Sequence, residues 1–181
     1  YMKHLKTVVD SNAQTGKQNA YRGISNAHIS LGDDAKALDY FTKYLEAKGE
    51  QVDNIDLSKA FYSKAADGFY KDRNYHQALI YYMKYLNLAE TSQITTEMKG
   101  AYWHIGDTYS FLNKHKETIA YFNRYLNIEG SSNDLAGLSH AYWQISKAHK
   151  CLGNQNLAIE FSVKAKNADE QTQLNFLETR G

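Results

Sequence analysis

Residues 101–126 read AYWHIGDTYSFLNKHKETIAYFNRYL. Within this stretch Tyr102, Ile105, Tyr109 and Leu112 recur at spacings of three and four. Ile119, Phe122 and Leu126 do the same, with Tyr125 beside them. Spacing of this kind puts apolar side chains on one face of an α-helix, so the stretch predicts two helices. Between them lies a short polar segment. Two antiparallel helices joined in this way form a helical hairpin.

The same pattern recurs along the chain. AYRGISNAHISLGDDAKALDYFTKYL from Ala20 and AYWQISKAHKCLGNQNLAIEFSVKAK from Ala141 align with it without gaps. FYSKAADGFYKDRNYHQALIYYMKYL from Phe61 is a more diverged copy. Tyr21, Tyr62, Tyr102 and Tyr142 fall 41, 40 and 40 residues apart, and Ala37, Ala78, Thr118 and Ala158 keep the same spacing. Gly32 and Gly153 follow leucines at the turns, where glycine tolerates a left-handed helix cap. A partial copy opens the chain: YMKHL at Tyr1 matches YMKYL at Tyr82, so the sequence is expected to begin inside a repeat of a longer array. The expected segments are 1–14 (the second helix of a truncated repeat), 17–50, 58–91, 98–131 and 138–170. Residues 171–181 would start a capping helix or a further repeat. One hairpin cannot bury both its faces, so the copies are expected to stack into a single α-solenoid.

Composition agrees with helices. There are no prolines in 181 residues, and proline breaks helix interiors. Fifteen tyrosines are explained mainly as filler between helices, with polar tips at the edge. Aromatic residues make up 13%, enough buried surface to argue against disorder. The net charge of +1 gives no general basic surface for nucleic acid. No apolar run reaches the length of a membrane span, and membrane insertion is not expected. One cysteine, Cys151, rules out an intrachain disulfide and fits a reducing compartment, so a cytoplasmic location is expected.

The pattern resembles the tetratricopeptide repeat, whose signature places an aromatic, Leu-Gly, Tyr, Ala, Phe and Ala at fixed offsets. The third copy matches with Tyr102, Ile105-Gly106, Tyr109, Thr118 and Phe122; the first with Tyr21, Ile24-Ser25, His28, Ala37 and Phe41. The second offers Tyr62, Ala65-Ala66, Phe69, Ala78 and Tyr82, and the fourth Tyr142, Ile145-Ser146, His149, Ala158 and Ser162. Three features depart from the family. Tyr44, Tyr85 and Tyr125 replace a small residue that only Ala165 keeps, the terminal proline is absent, and the period is about forty rather than thirty-four. Looser packing between repeats is expected at those tyrosines. Long-period repeats of this kind resemble those of the Pins/LGN-like and axonemal-dynein-associated types, and also those of bacterial peptide-sensing regulators and kinesin light chains. The heads A-Y-x-x-I-[GS] favour the Pins/LGN-like type.

The resemblance implies a right-handed α-solenoid of stacked antiparallel helix pairs, whose first helices line a concave groove. The groove positions so implied are Arg22, Asn26, Lys64, Asp67, Lys71, Trp103, His104, Asp107, Phe111, Trp143, Gln144, Lys147 and Lys150. Trp103 and Trp143 occupy equivalent positions, and tryptophan is a frequent interface anchor. The competing reading is that each covers the seam between neighbouring first helices. The mixed charges suit an extended peptide or a helix bearing both signs; a merely solvated face is the plain alternative.

No catalytic chemistry emerges. Histidines lack the spacing with glutamate of a helix-borne zinc site, His28 and His149 fall on packing positions, and Cys151 has no neighbouring base. No metal, cofactor or enzymatic activity is expected. Ser58, Thr91 and Ser132 are candidate helix caps. The expected function is protein–protein interaction, as a scaffold or adaptor holding a partner peptide or helix in the groove. The competitors are a peptide-sensing regulatory domain of a larger protein and a structural spacer in a ciliary or motor assembly.

Overall fold

The computed structural model describes residues 2–50, 54–128 and 134–178, with side chains for 13–50, 54–128 and 134–175. These form eight α-helices and no strand: α1 Met2–Ser30, α2 Asp34–Lys48, α3 Asn54–Lys71, α4 Tyr75–Ser92, α5 Thr95–Phe111, α6 His115–Leu126, α7 Leu135–Cys151 and α8 Gln155–Glu178. Helices alternate as first and second members of hairpins, as the repeated periodicity predicts.

The four hairpin turns share one hydrogen-bond pattern. Amides of Asp33, Asn74, Lys114 and Asn154 donate to the carbonyls of His28, Phe69, Tyr109 and His149, five residues back, at 2.8–3.0 Å. The residue before each is left-handed: Gly32 (φ 73°), Arg73 (φ 59°), Asn113 (φ 55°) and Gly153 (φ 79°). This is a Schellman closure, which satisfies the last helix carbonyls and reverses the chain.

The chain divides into two compact units, residues 1–65 and 66–181, with the boundary inside α3. In the first unit, Ala37, Phe41 and Leu45 of α2 and Leu57 and Phe61 of α3 are buried. The Phe41 and Phe61 rings lie 5.6 Å apart. Ser25 of α1 donates to the Ala37 carbonyl at 2.7 Å. In the second unit, Phe122, Tyr125, Ala141 and Ile145 form a core across α6 and α7, flanked by Tyr102, Trp103, Ile119, Leu126, Leu138 and Phe161. Ser146 repeats the Ser25 bond, donating to the Ala158 carbonyl at 2.6 Å. At the equivalent position, a Cβ on Gly106 would come within 3.1 Å of the Phe122 ring. The small residues of the repeat are therefore where first and second helices approach most closely.

Three expectations are corrected. No break separates 1–14 from 17–50, because α1 runs unbroken through Thr15-Gly16-Lys17. No break occurs near 171, because α8 continues to Glu178. Nor is packing loose at Tyr125. It is buried and donates to Asp134 at 2.8 Å, and its hydroxyl sits where a Cβ on Gly137 would have to go. Between the third and fourth copies, the longer period thus comes with a tyrosine wedge seated over a glycine.

The expected caps also differ. Ser58 and Thr91 bond to carbonyls four residues back within their own helices, Asn54 at 2.8 Å and Asn87 at 2.7 Å. Ser132 lies outside the described residues. Asp134 caps α7 instead, accepting from the Gly137 amide at 3.0 Å.

Candidate partner-binding face

The second unit places Asp67 and Lys71 on α3, Trp103, His104, Asp107 and Phe111 on α5, and Trp143, Gln144, Lys147 and Lys150 on α7. Arg22, Asn26 and Lys64 belong to the first unit, where all three are exposed. Arg22 touches Asn19 at 3.4 Å.

Two of the expected groove residues turn inward. Asp107 is 3% exposed and Gln144 is 5% exposed. A buried carboxylate needs donors, and Asp107 has three. Gln144 Nε2 donates at 2.9 Å, His140 Nε2 lies at 3.0 Å, and the Tyr70 hydroxyl makes a short bond to the other oxygen. Ser110 donates to Gln144 Oε1 at 2.7 Å. Burial pushes the Asp107 carboxyl pKa up, but the bonds from His140, Tyr70 and Gln144 outweigh it and hold it below the usual carboxylate value. Asp67 accepts from the buried Tyr82 hydroxyl at 2.7 Å. Burial, and then that bond, raise the Tyr82 pKa, so the phenol stays protonated and a donor.

Rings surround this network. His104 stacks on Tyr82 with centroids 4.9 Å apart, and burial lowers its pKa. Trp103 meets His104 edge-on at 5.2 Å and lies 5.0 Å from His140. Phe111 stacks on Tyr75 at 4.8 Å and meets Tyr70 edge-on at 5.8 Å. Trp103 is therefore half-buried at the α5–α7 seam, whereas Trp143 is 52% exposed with Lys147 above its ring at 5.3 Å. The seam reading thus holds for Trp103, while Trp143 is exposed. A cleft of about 510 Å³ opens beside Trp103, bordered by Lys99, Gly100, His104, Gly137 and His140.

Tyr70, Ser110 and His140 were not among the expected site residues. His140 and Gln144 stand four apart on one helix, the spacing of side chains that share a face, and that signal was available in the sequence. His28 and His149 stack on Tyr40 and Phe161, as packing positions should. Cys151 is exposed and unpaired. Among the described residues, no group of three or more His, Cys, Asp or Glu is placed to hold a metal. No helix there is long and apolar enough to cross a membrane.

Residues 100–131 match the family model of the tetratricopeptide repeat. The fold is similar to three solved structures. Aspartyl phosphate phosphatase F from Bacillus subtilis is 22% identical with a TM-score of 0.62, over 87% of this chain and 41% of that one. The TPR domain of Arabidopsis FLU is 22% identical with a TM-score of 0.59, over 65% of this chain and 98% of that one. MamA is 16% identical with a TM-score of 0.56, over 93% of this chain and 86% of that one. The chain thus spans less than half the length of the phosphatase. No curated protein sequence matches it. The architecture is that of tetratricopeptide-type helix pairs.

Proposed function

We propose that the chain is a non-catalytic protein-interaction module, a scaffold or adaptor that takes a partner peptide or helix along the α5–α7 face. The observation that carries this is the pairing of fixed and free groups on one face. Asp107, Gln144 and His140 are locked by one another, while Phe111 is 50% exposed and Trp143 52% exposed beside them. Rigid polar groups with exposed rings are what a specific binding face needs, since pre-organisation reduces the ordering cost of association. Asp67, Lys71 and Lys147 add both signs of charge, suited to a partner segment that also carries both. The long-period head, Ala-Tyr-x-x-Ile with Gly or Ser, supports a Pins/LGN-like type, and the single cysteine a cytoplasmic setting.

Peptides selected from a displayed random library on the intact chain test this. Titration calorimetry should show Phe111→Ala weakening the selected peptides about tenfold or more, with helical circular dichroism unchanged. Crosslinks should fall on Lys71 or Lys150. Equal affinity for the variant, with crosslinks confined to second-helix lysines such as Lys84 and Lys164, would reject the face and favour a spacer.

A further inference from the structure

The cleft beside Trp103 lies between the first turns of α5 and α7. It is open because small residues border it: Gly100 on α5, and Ala136 and Gly137 on α7. The positions that match Gly100 in the other copies hold Asn19, Ala60 and His140, so only the third copy is bare at this point. The volume of about 510 Å³ is enough for a long side chain. The walls are mostly rings: Trp103, His104, His140 and Tyr125. One lysine enters. The Lys99 ammonium lies 5.3 Å from the Tyr125 ring centroid and 3.6 Å from Asp134. The cleft thus already holds one cation between a ring and a carboxylate.

Trp103 has a carboxylate one turn on, at Asp107, but no cation. Its counterpart forty residues later, Trp143, has Lys147 above its ring at 5.3 Å. The residue that matches Lys147 in the third copy is Asp107 itself. Among the described residues no lysine or arginine stands over Trp103. The charges nearby are unbalanced as well. Tyr70, His140 and Gln144 serve Asp107, and Tyr82 serves Asp67; among the described residues no lysine or arginine pairs with either carboxylate. With the imidazoles neutral, Asp67, Asp107 and Asp134 stand against the single ammonium of Lys99, which leaves an excess of negative charge. Asp67 and Asp107 both act on His104, a wall of the cleft. An acceptor is also free. A carboxylate only accepts, so His140 Nε2 carries the proton shared with Asp107, and Nδ1 of the neutral ring is an acceptor. That nitrogen is open to solvent and has no partner among the described residues.

We propose that this cleft seats an arginine side chain of the partner. The guanidinium lies against the rings of Trp103 and His140, donates to His140 Nδ1 and balances the charge of Asp67, Asp107 and Asp134. Resting on the reading of α5–α7 as a binding face, the seat supplies the residue type that the face selects. Arginine suits it better than lysine, because a guanidinium is planar, stacks on rings and is less strongly hydrated than an ammonium. A carboxylate would add a like charge to those already present, which costs affinity.

The probe is Nα-acetyl-arginine methylamide, titrated into the intact, nitrogen-15-labelled chain at pH 8, above the usual imidazole range. Its controls are the citrulline analogue, which keeps the shape without the charge, and the glutamate analogue. The Trp103 indole N–H should shift saturably with a Kd of about 1 mM, the scale of a single side chain. Citrulline should bind about tenfold more weakly, and salt should weaken arginine. Gly100→Leu should abolish the shift. A Cβ there meets nothing within 4 Å, so the chain should still fold while the new side chain fills the cleft. Lys99→Gln removes the competing cation and should tighten the probe about threefold, a gain that damage to the fold would not give. Equal binding of arginine and citrulline, tighter binding of the glutamate analogue, or a shift indifferent to Gly100→Leu overturns the proposal. So do peptides that weaken with Phe111→Ala yet keep their affinity when arginine is replaced by citrulline; the face then stands without this seat. If the probe binds as expected but no peptide weakens with Phe111→Ala, the seat stands and the wider face fails.

Discussion

Asp107 and His104 should each leave a signature in the pH dependence of stability. The folded pKa of His104 lies below its ordinary value because it is buried, an effect that nearby Asp67 and Asp107 only partly oppose. On acidification the unfolded chain therefore takes up this proton first, and stability falls from about pH 6.5 downward. Asp107 is also depressed in the folded state, so the stability it contributes is complete above about pH 4 and is lost as pH falls further. Urea unfolding between pH 7 and pH 3 should show both limbs. His104→Gln should flatten the upper limb alone and Asp107→Asn the lower. An unchanged upper slope in His104→Gln would mean that the ring is solvated when folded. Neither effect was legible in the sequence. Position 107 is acidic in two copies and lysine in a third, which reads as a solvated face. Only the folded chain brings Tyr70, His140 and Gln144 onto it from two other helices.

Each hairpin closes with the same bonds, yet the residues that make the closures are unequal. Gly32 and Gly153 take the left-handed position freely, and Asn113 tolerates it, but Arg73 at φ 59° carries the Cβ penalty of that region. At the next position Asp33 and Asn74 accept the amides of Lys36 and Gln77, while Lys114 offers α6 no side-chain cap. Arg73→Gly should therefore stabilise by about 0.5–1 kcal/mol, the relief of strain being partly offset by the greater freedom of glycine when unfolded. Lys114→Asp should add about 1 kcal/mol through a new cap. Shifts of the urea midpoint at constant slope would confirm both, and a lower midpoint for either would show that the turn has other requirements. At this scale the sequence was informative, because hairpin positions follow from apolar spacing and from Leu-Gly turns. It misled where helices simply continue. Thr15-Gly16-Lys17 looks like a link, but a glycine in an exposed helix costs only about 1 kcal/mol and need not break it. The opposite error fell at Tyr125, where a large residue in a small-residue position suggested a gap. The compensating Gly137 lies twelve residues on, and nothing but the fold connects them.

Among the described residues, side-chain contacts join helices that are neighbours in sequence or one helix apart, as Tyr70 of α3 and Gln144 of α7 both bond to Asp107 of α5. Stability in such a protein is a sum of local terms and nearest-neighbour interfaces rather than one global value. The best-buried interfaces are those of α5, α6 and α7, where Ala101, Ile105, Phe122, Ala141 and Ile145 are fully enclosed. Beyond Ala168, by contrast, residues 169–175 of α8 are exposed on every side. Amide hydrogen exchange should therefore be slowest at Ile105 and Ile145 and fastest in the last turns of α8, although both regions are equally helical. Phe122→Ala sharpens the test. Truncating a fully buried ring costs about 3–5 kcal/mol, and the loss should appear first as faster exchange in α5, α6 and α7. Amides of α1 and α2, whose core is Ala37, Phe41, Leu45, Leu57 and Phe61, should keep much of their protection. If protection fell by the same factor in α2 as in α6, the chain would be unfolding as one block. The nearest-neighbour account would then fail.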